Sequence, residues 1–251
     1  MKIQKPEYKG WSYWKSTGEK EEQNGDFIKA IEIYSAAIIE SPLNEDAFIS
    51  RGFVKCDIQE YESAIDDFTE AIEINPRNKY GFINRAYANL FLKNFEDVVN
   101  DSTKVLELDC LEKDSLINRG LANLNLNRFD AAIDDANDAI YIDKYDKGYF
   151  IRGLANYRKG ELNKAILDFS QAINSPSRFF DRCLFFRAVA NSRKNNYENA
   201  LDDFKKFFDS FKLGNSQWFK AREGIHKDIL NDIPADMISL IKLHIGNYFK
   251  K

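Results

Sequence analysis

Histidine is nearly absent: the chain has 2, His226 and His244, eighteen positions apart near the C-terminus. A catalytic or metal-binding role needs convergent partners, and none stands beside either of them. Cysteine is scarce too. Cys56, Cys110 and Cys183 are far apart and odd in number, with no CxxC pair, so a zinc site or redox motif has no support. All three read as buried, reduced thiols acting as small hydrophobes. There is no glycine-rich phosphate loop and no nucleophile elbow.

Proline (5) and glycine (12) are too few for a turn-rich β protein or a disordered chain. No run of 18 or more apolar residues occurs, so no membrane span is expected. The N-terminal segment MKIQKPEYKGW has no apolar stretch, so no secretory signal is expected and the cytoplasm is the expected compartment. A basic excess is missing as well. The formal net charge is −4 and the sequence pI about 5.4, which argues against nucleic acid as a partner.

What the sequence does have is a period. A small residue followed by an aliphatic one recurs at Ala30-Ile31, Ala64-Ile65, Val98-Val99, Ala132-Ile133, Ala165-Ile166 and Ala200-Leu201, spaced 34, 34, 34, 33 and 35. Three residues before each stands a large apolar residue: Phe27, Tyr61, Phe95, Phe129, Leu162 and Tyr197. Twelve before each stands Gly18, Gly52, Ala86, Gly120, Gly153 or Ala188. Seven after each come Ala37, Ala71, Val105, Ala139, Ala172 and Phe207. Two antiparallel helices approach closely only where their facing residues are small, and the aromatic fills the space left beside them. Turn residues separate the two helices of a repeat at Gly25-Asp26, Asn94, Asn127, Gly160 and Asn195-Asn196. Pro42, Pro76 and Pro176 fall near repeat ends.

A charge pattern rides on the period. Arg51, Arg85, Arg119, Arg152 and Arg187 precede the small residue of the first helix. Asp67, Asp101, Asp135, Asp168 and Asp203 follow in the second helix, and the first repeat has Thr17 and Ile33 instead. Joint presence and joint absence predict an Arg–Asp bridge between the two helices of each repeat. The acidic dyads Asp66-Asp67, Asp134-Asp135 and Asp202-Asp203 recur with it, so they read as one bridging and one solvated member rather than as acid/base pairs.

The stretches AFISRGFVKCDIQEYESAIDDFTEAIEINP and GFINRAYANLFLKNFEDVVNDSTKVLELDC resemble the tetratricopeptide repeat, a helix–turn–helix unit of 34 residues. The resemblance implies an all-α fold, a right-handed superhelical α-solenoid. Its hairpins are placed over 11–44, 45–78, 79–112, 113–145, 146–180 and 181–214, after an extension over 1–10. Repeat three departs from the pattern at Val98, Ser102 and Val105, and repeat six at Phe207. Residues 216–230 and 235–250 read as two further amphipathic helices, a cap for the last repeat or a segment reaching into a groove.

In this family the first helices line a groove that holds peptides or partner segments. Carried over column by column, the groove candidates are Ile49, Phe53 and Asp57 in repeat two and Ile83, Tyr87 and Phe91 in repeat three. Repeat four offers Ile117, Leu121 and Asn125, repeat five Phe150, Leu154 and Arg158, and repeat six Phe185, Val189 and Arg193. Asn84 and Asn118 stand beside them as donors and acceptors for a peptide backbone. The rim changes sign, from Glu19, Asp46 and Asp57 to Lys147, Arg158, Arg182 and Arg193. The clamp with which one subclass holds C-terminal carboxylates is mostly missing, since Lys15 is followed by Glu19 and Ser50 and later by Tyr80. The expectation is a non-enzymatic scaffold that binds a protein or peptide, with no cofactor, nucleic acid or membrane. A recruiting subunit of an enzyme complex and a self-assembling structural protein are the alternatives.

Overall fold

The computed structural model describes residues 8–143, 146–174 and 180–212, so the two tail helices expected over 216–230 and 235–250 lie outside the described residues. The chain folds as two compact units, Met1–Leu126 and Asn127–Lys251. The N-terminal unit holds α1 (Trp11–Asn24), α2 (Phe27–Glu40), α3 (Glu45–Asp57), α4 (Tyr61–Ile74), α5 (Lys79–Leu92), α6 (Phe95–Leu108) and α7 (Lys113–Asn125). The C-terminal unit holds α8 (Phe129–Asp143), α9 (Asp146–Arg158), α10 (Leu162–Ile173), α11 (Phe180–Arg193) and α12 (Tyr197–Lys212). The described residues contain helices and no strand.

Within each unit, consecutive helices pack as antiparallel pairs. Arg51 reaches Asp67 while Lys55 reaches the Ser63 carbonyl, so paired residues lie further apart the further they are from the turn. Each turn between the helices of a hairpin contains one residue in the left-handed region. These are Gly25 (φ 78°), Gln59 (66°), Lys93 (62°), Asn127 (58°), Gly160 (80°) and Asn195 (62°), again at the repeat spacing. In repeat three the residue that reverses the chain is thus Lys93, one before the Asn94 that the composition suggests. Glycine and asparagine adopt this conformation readily, whereas a lysine is strained there by about 1 kcal/mol. Lys93→Gly is therefore expected to raise stability by about that amount, read as a higher urea midpoint at unchanged slope.

The close approach of paired helices is visible at the glycines. A Cβ on Gly52 would stand 2.6 Å from Phe68 Cε1, and one on Gly153 2.7 Å from Phe169 Cε1. Tyr34 fills the same place against Gly18, with its hydroxyl on the Glu22 carboxylate at 2.5 Å. Repeats three and four have Ser102 and Ala136 in this column instead of a ring, and the buried Ser102 hydroxyl has no hydrogen-bond partner among the described residues.

Neighbouring hairpins join through a second buried column two residues after the glycine or alanine. Val54 of α3 clusters with Ala30 and Tyr34 of α2, Ala88 of α5 with Ala64 and Phe68 of α4, and Ala122 of α7 with Val98 of α6. In the C-terminal unit the join is mostly aromatic: Phe150, Phe169, Phe185, Phe186, Phe204 and Phe207 share one core.

The Arg–Asp bridge is present in repeats two, three, five and six. Arg51–Asp67, Arg85–Asp101, Arg152–Asp168 and Arg187–Asp203 close at 2.6 to 2.7 Å. Arg119 and Asp135 belong to different compact units. Each bridge reaches a third helix. The second terminal nitrogen of Arg51, Arg85, Arg152 and Arg187 donates to Ser35, Thr69, Asn137 and Ser170 of the preceding helix, and Arg119 donates to Thr103. The arginine is thus a rivet between repeats as well as within one.

Candidate functional site

First helices of successive repeats touch: α1 meets α3, α3 meets α5 and α5 meets α7 in the N-terminal unit, and α9 meets α11 in the C-terminal unit. Each hairpin buries its second column against the preceding hairpin, which leaves the residues one and five places after the small residue on the opposite face of the first helix. In the N-terminal unit that face is apolar and open. Phe53 is 49% exposed, Tyr87 46% and Phe91 51%, values far above those of the core aromatics. Ile49, Ile83 and Leu121 are half-buried beside them, and Asp57 and Asn125 are exposed.

The rings are organised. Phe91 stacks on Tyr61 with centroids 4.6 Å apart and planes 9° from parallel. Tyr87 meets Phe91 edge to face at 4.9 Å. Such offset or edge-on pairs hold their geometry better than isolated rings. The sequence assigns Tyr61 only to packing inside its hairpin; its stacking on Phe91 adds it to the exposed face. The signal was its position at the start of α4, directly after the turn that ends α3.

Asp57 lies one turn beyond Phe53 on α3. Burial among its neighbours raises its carboxyl above the ordinary aspartate range. It makes no hydrogen bond or ion pair among the described residues. Tyr87 is raised above the usual phenol range, first by burial and then by the titrating neighbours Tyr61, Cys56 and Asp57. Asn84 and Asn118, in equivalent positions on α5 and α7, are half-buried, and their amides have no hydrogen-bond partner among the described residues. Asn125 donates to the Leu121 carbonyl of its own helix at 2.8 Å.

The C-terminal unit departs from expectation. Phe150, Phe185 and Val189 are buried, because Phe186 and Phe204 bring rings against them; they are core rather than exposed face. Ile117 in the N-terminal unit is buried as well. Leu154 is half-buried, while Arg158 and Arg193 are exposed, with Arg193 lying 5.2 Å over the Tyr157 ring. The rim charges are partly neutralised: Glu19 pairs with Lys15 at 3.8 Å.

A column of buried amides went unread in the sequence. Asn89, Asn123, Asn156 and Asn191 stand three residues after the small residue. Asn89 and Asn191 accept from Asn94 and Asn196 at the hairpin turns, and Asn156 donates to Asp168. In repeat two Lys55 takes the place and pairs with Asp67 at 2.8 Å. Cys56 and Cys183 are buried, but Cys110 is exposed. Its position explains the difference: it falls 34 residues after Pro76 and 68 after Pro42, at the exposed turn between hairpins.

Among the acidic dyads, Asp67 is committed to Arg51 and Asp203 to Arg187, and Asp202 pairs with Lys206 at 2.7 Å. Among the described residues no group of three or more His, Cys, Asp or Glu could hold a metal ion, and no helix is long and apolar enough to cross a membrane.

Comparison with known proteins points to the same kind of repeat. Residues 114–146 match the tetratricopeptide repeat family. No curated protein matches the chain. Among solved structures, PilW, a type IV pilus biogenesis factor, is 14% identical, with a TM-score of 0.70 over 82% of this chain and 94% of its own. A tetratricopeptide repeat protein from Parabacteroides merdae is 15% identical, with a TM-score of 0.64 over 88% of this chain and 96% of its own. YrrB, described as a tetratricopeptide repeat protein with an unusual peptide-binding site, is 17% identical, with a TM-score of 0.58 over 70% of this chain and 91% of its own. The chain therefore has the tetratricopeptide repeat fold, with twelve described helices that make about six repeats.

Proposed function

We propose that this tetratricopeptide-type array is a scaffold that holds a peptide or helix of a partner protein on the first-helix face of its N-terminal unit, and that it carries no chemistry of its own. The observation that carries the reading is the exposed aromatic face. Phe53, Tyr87 and Phe91 stay about half open to solvent although large apolar side chains are normally covered. Rigid aromatic anchors beside unpaired amides are what an apolar peptide with a hydrogen-bonding backbone requires. YrrB shows that this fold accommodates a peptide site. Leu121 and Asn125 extend the face along α7, and Asn84 and Asn118 are its hydrogen-bonding pair. Leu154, Arg158 and Arg193 offer a second face of different character in the C-terminal unit.

The test is capture of partners from the protein's own cell extract by the full chain and by Phe53→Ala plus Tyr87→Ala. Both side chains are half exposed, so the variant is expected to keep the helical circular dichroism and melting behaviour of the parent. Loss of two anchors is expected to weaken the specific partner by at least about 2 kcal/mol, roughly thirtyfold in Kd. A partner retained at parental affinity by a folded double variant places the site elsewhere.

A further inference from the structure

We propose that the patch formed by Phe53, Asp57, Tyr61, Tyr87 and Phe91 receives an arginine side chain presented by an apolar segment of the partner protein. This rests on the reading of the first-helix face as the binding surface and names what it selects.

The protein's own interior supplies the pattern. Arg51 lies 5.7 Å over the Phe48 ring, Arg85 5.8 Å over Phe82 and Arg152 5.5 Å over Tyr149. Each of these guanidinium groups is at the same time forked onto a carboxylate of the second helix, Asp67, Asp101 or Asp168. The planar, weakly hydrated guanidinium suits that double environment, with a ring below it and a carboxylate at its edge.

The patch on α3, α4 and α5 has the same two components and, among the described residues, no cation paired with its carboxylate. Asp57 has no hydrogen bond or ion pair among the described residues. The nearest lysine in sequence, Lys55, is committed to Asp67 and to the Ser63 carbonyl. Lys93, just past the end of α5, forms no ion pair with Asp57. Asp57 is exposed overall, and partial burial of its carboxyl among its neighbours holds it above the ordinary aspartate range. A charge in that state gains more from a counter-charge than one in open water does. The same features oppose an acidic ligand: a carboxylate brought here would meet Asp57 as a like charge, with rings that present their negative faces. The wall around the patch is apolar through Ile49, Ile83 and Leu121, so the arginine is expected to arrive between apolar residues rather than in a basic run.

The test uses the full chain and two blocked peptides, alanine–leucine–arginine–leucine–alanine and the same peptide with citrulline for arginine. Citrulline keeps the shape and removes the charge. Amide and tyrosine-ring shifts are followed by NMR. The arginine peptide is expected to give saturable shifts around Asp57 and Tyr87, and the citrulline peptide to bind about tenfold more weakly. Asp57→Asn is expected to erase that difference, whereas Glu70→Gln, exposed on α4, leaves it unchanged. Equal affinity of the two peptides for the parent, with binding lost in Tyr87→Ala, overturns the arginine proposal and leaves the binding face standing. Binding of neither peptide up to its solubility limit overturns it as well, and so do Asp57 signals that move in the full-chain Arg222→Gln variant and not with peptide, which would make the chain's own tail the occupant. Persistent partner capture by the Phe53→Ala plus Tyr87→Ala variant is the separate result that removes the underlying face.

Discussion

Phe169→Ala is expected to destabilise the chain by about 4 kcal/mol, read from the urea midpoint. The ring is fully buried, stacks on Phe186 at 5.8 Å and meets Phe150 at 6.3 Å. It also occupies the space directly under Gly153, where even a Cβ would come within 2.7 Å. Truncation leaves a cavity that the backbone of a closely packed hairpin cannot close. The two positions should therefore be coupled. Gly153→Ala alone is expected to cost about 2 kcal/mol through overpacking, and much less in a Phe169→Leu background, where the far ring carbons are gone. Leu167→Ala, one helical step away but largely exposed, should change stability by less than about 0.5 kcal/mol. Equal effects of Phe169→Ala and Leu167→Ala would contradict the role assigned to the ring.

The second large effect is expected from breaking one bridge on one side. Asp168→Ala leaves the Arg152 guanidinium without its carboxylate and removes the acceptor of Asn156. Asp168 is buried and Arg152 about a quarter exposed, so the stranded charge is only partly recovered by water. A loss of about 3 kcal/mol is expected, at the low end for a buried pair because of that exposure. Replacing both partners, Arg152→Met with Asp168→Leu, should restore most of it, since the paired charges repay their own desolvation poorly. The rivet also joins hairpins through Asn137. Asp168→Ala is accordingly expected to lower the cooperativity of unfolding, seen as a smaller denaturant slope, whereas Phe169→Ala lowers the midpoint alone. If the single and double variants are equally destabilised, the bridge is not the element that matters.

The repeat and its bridges were legible in the sequence for a specific reason. The glycine or alanine of the first helix and the ring of the second meet inside one hairpin, and the same meeting is written several times over. Arg51–Asp67 and its three described counterparts could be read because both members come and go together. The third partner of each arginine was not legible, because Ser35, Thr69, Thr103, Asn137 and Ser170 share a role and not a residue type. The buried amides at Asn89, Asn123, Asn156 and Asn191 were overlooked because repeat two has Lys55 there, which does the same job with a charge. The face was legible only in part. A column fixes direction on a helix, and exposure depends also on how large the neighbours are. Phe53 and Tyr87 stay open in the N-terminal unit, while Phe150 and Phe185, in an apolar column of the first helices of the C-terminal unit, are covered by Phe186 and Phe204. Cys110 shows the same limit: the cysteine type suggests burial, and its place in the proline column puts it outside.

The account turns on which face meets the partner. A photo-reactive benzoylphenylalanine placed at position 87, on the first-helix face, and at position 39, where Ile39 is exposed on α2, compares two faces of one unit directly. The prediction is a specific adduct from position 87 whose cross-linked peptide contains arginine among apolar residues, and none from position 39. An adduct from position 39 with position 87 silent would contradict it.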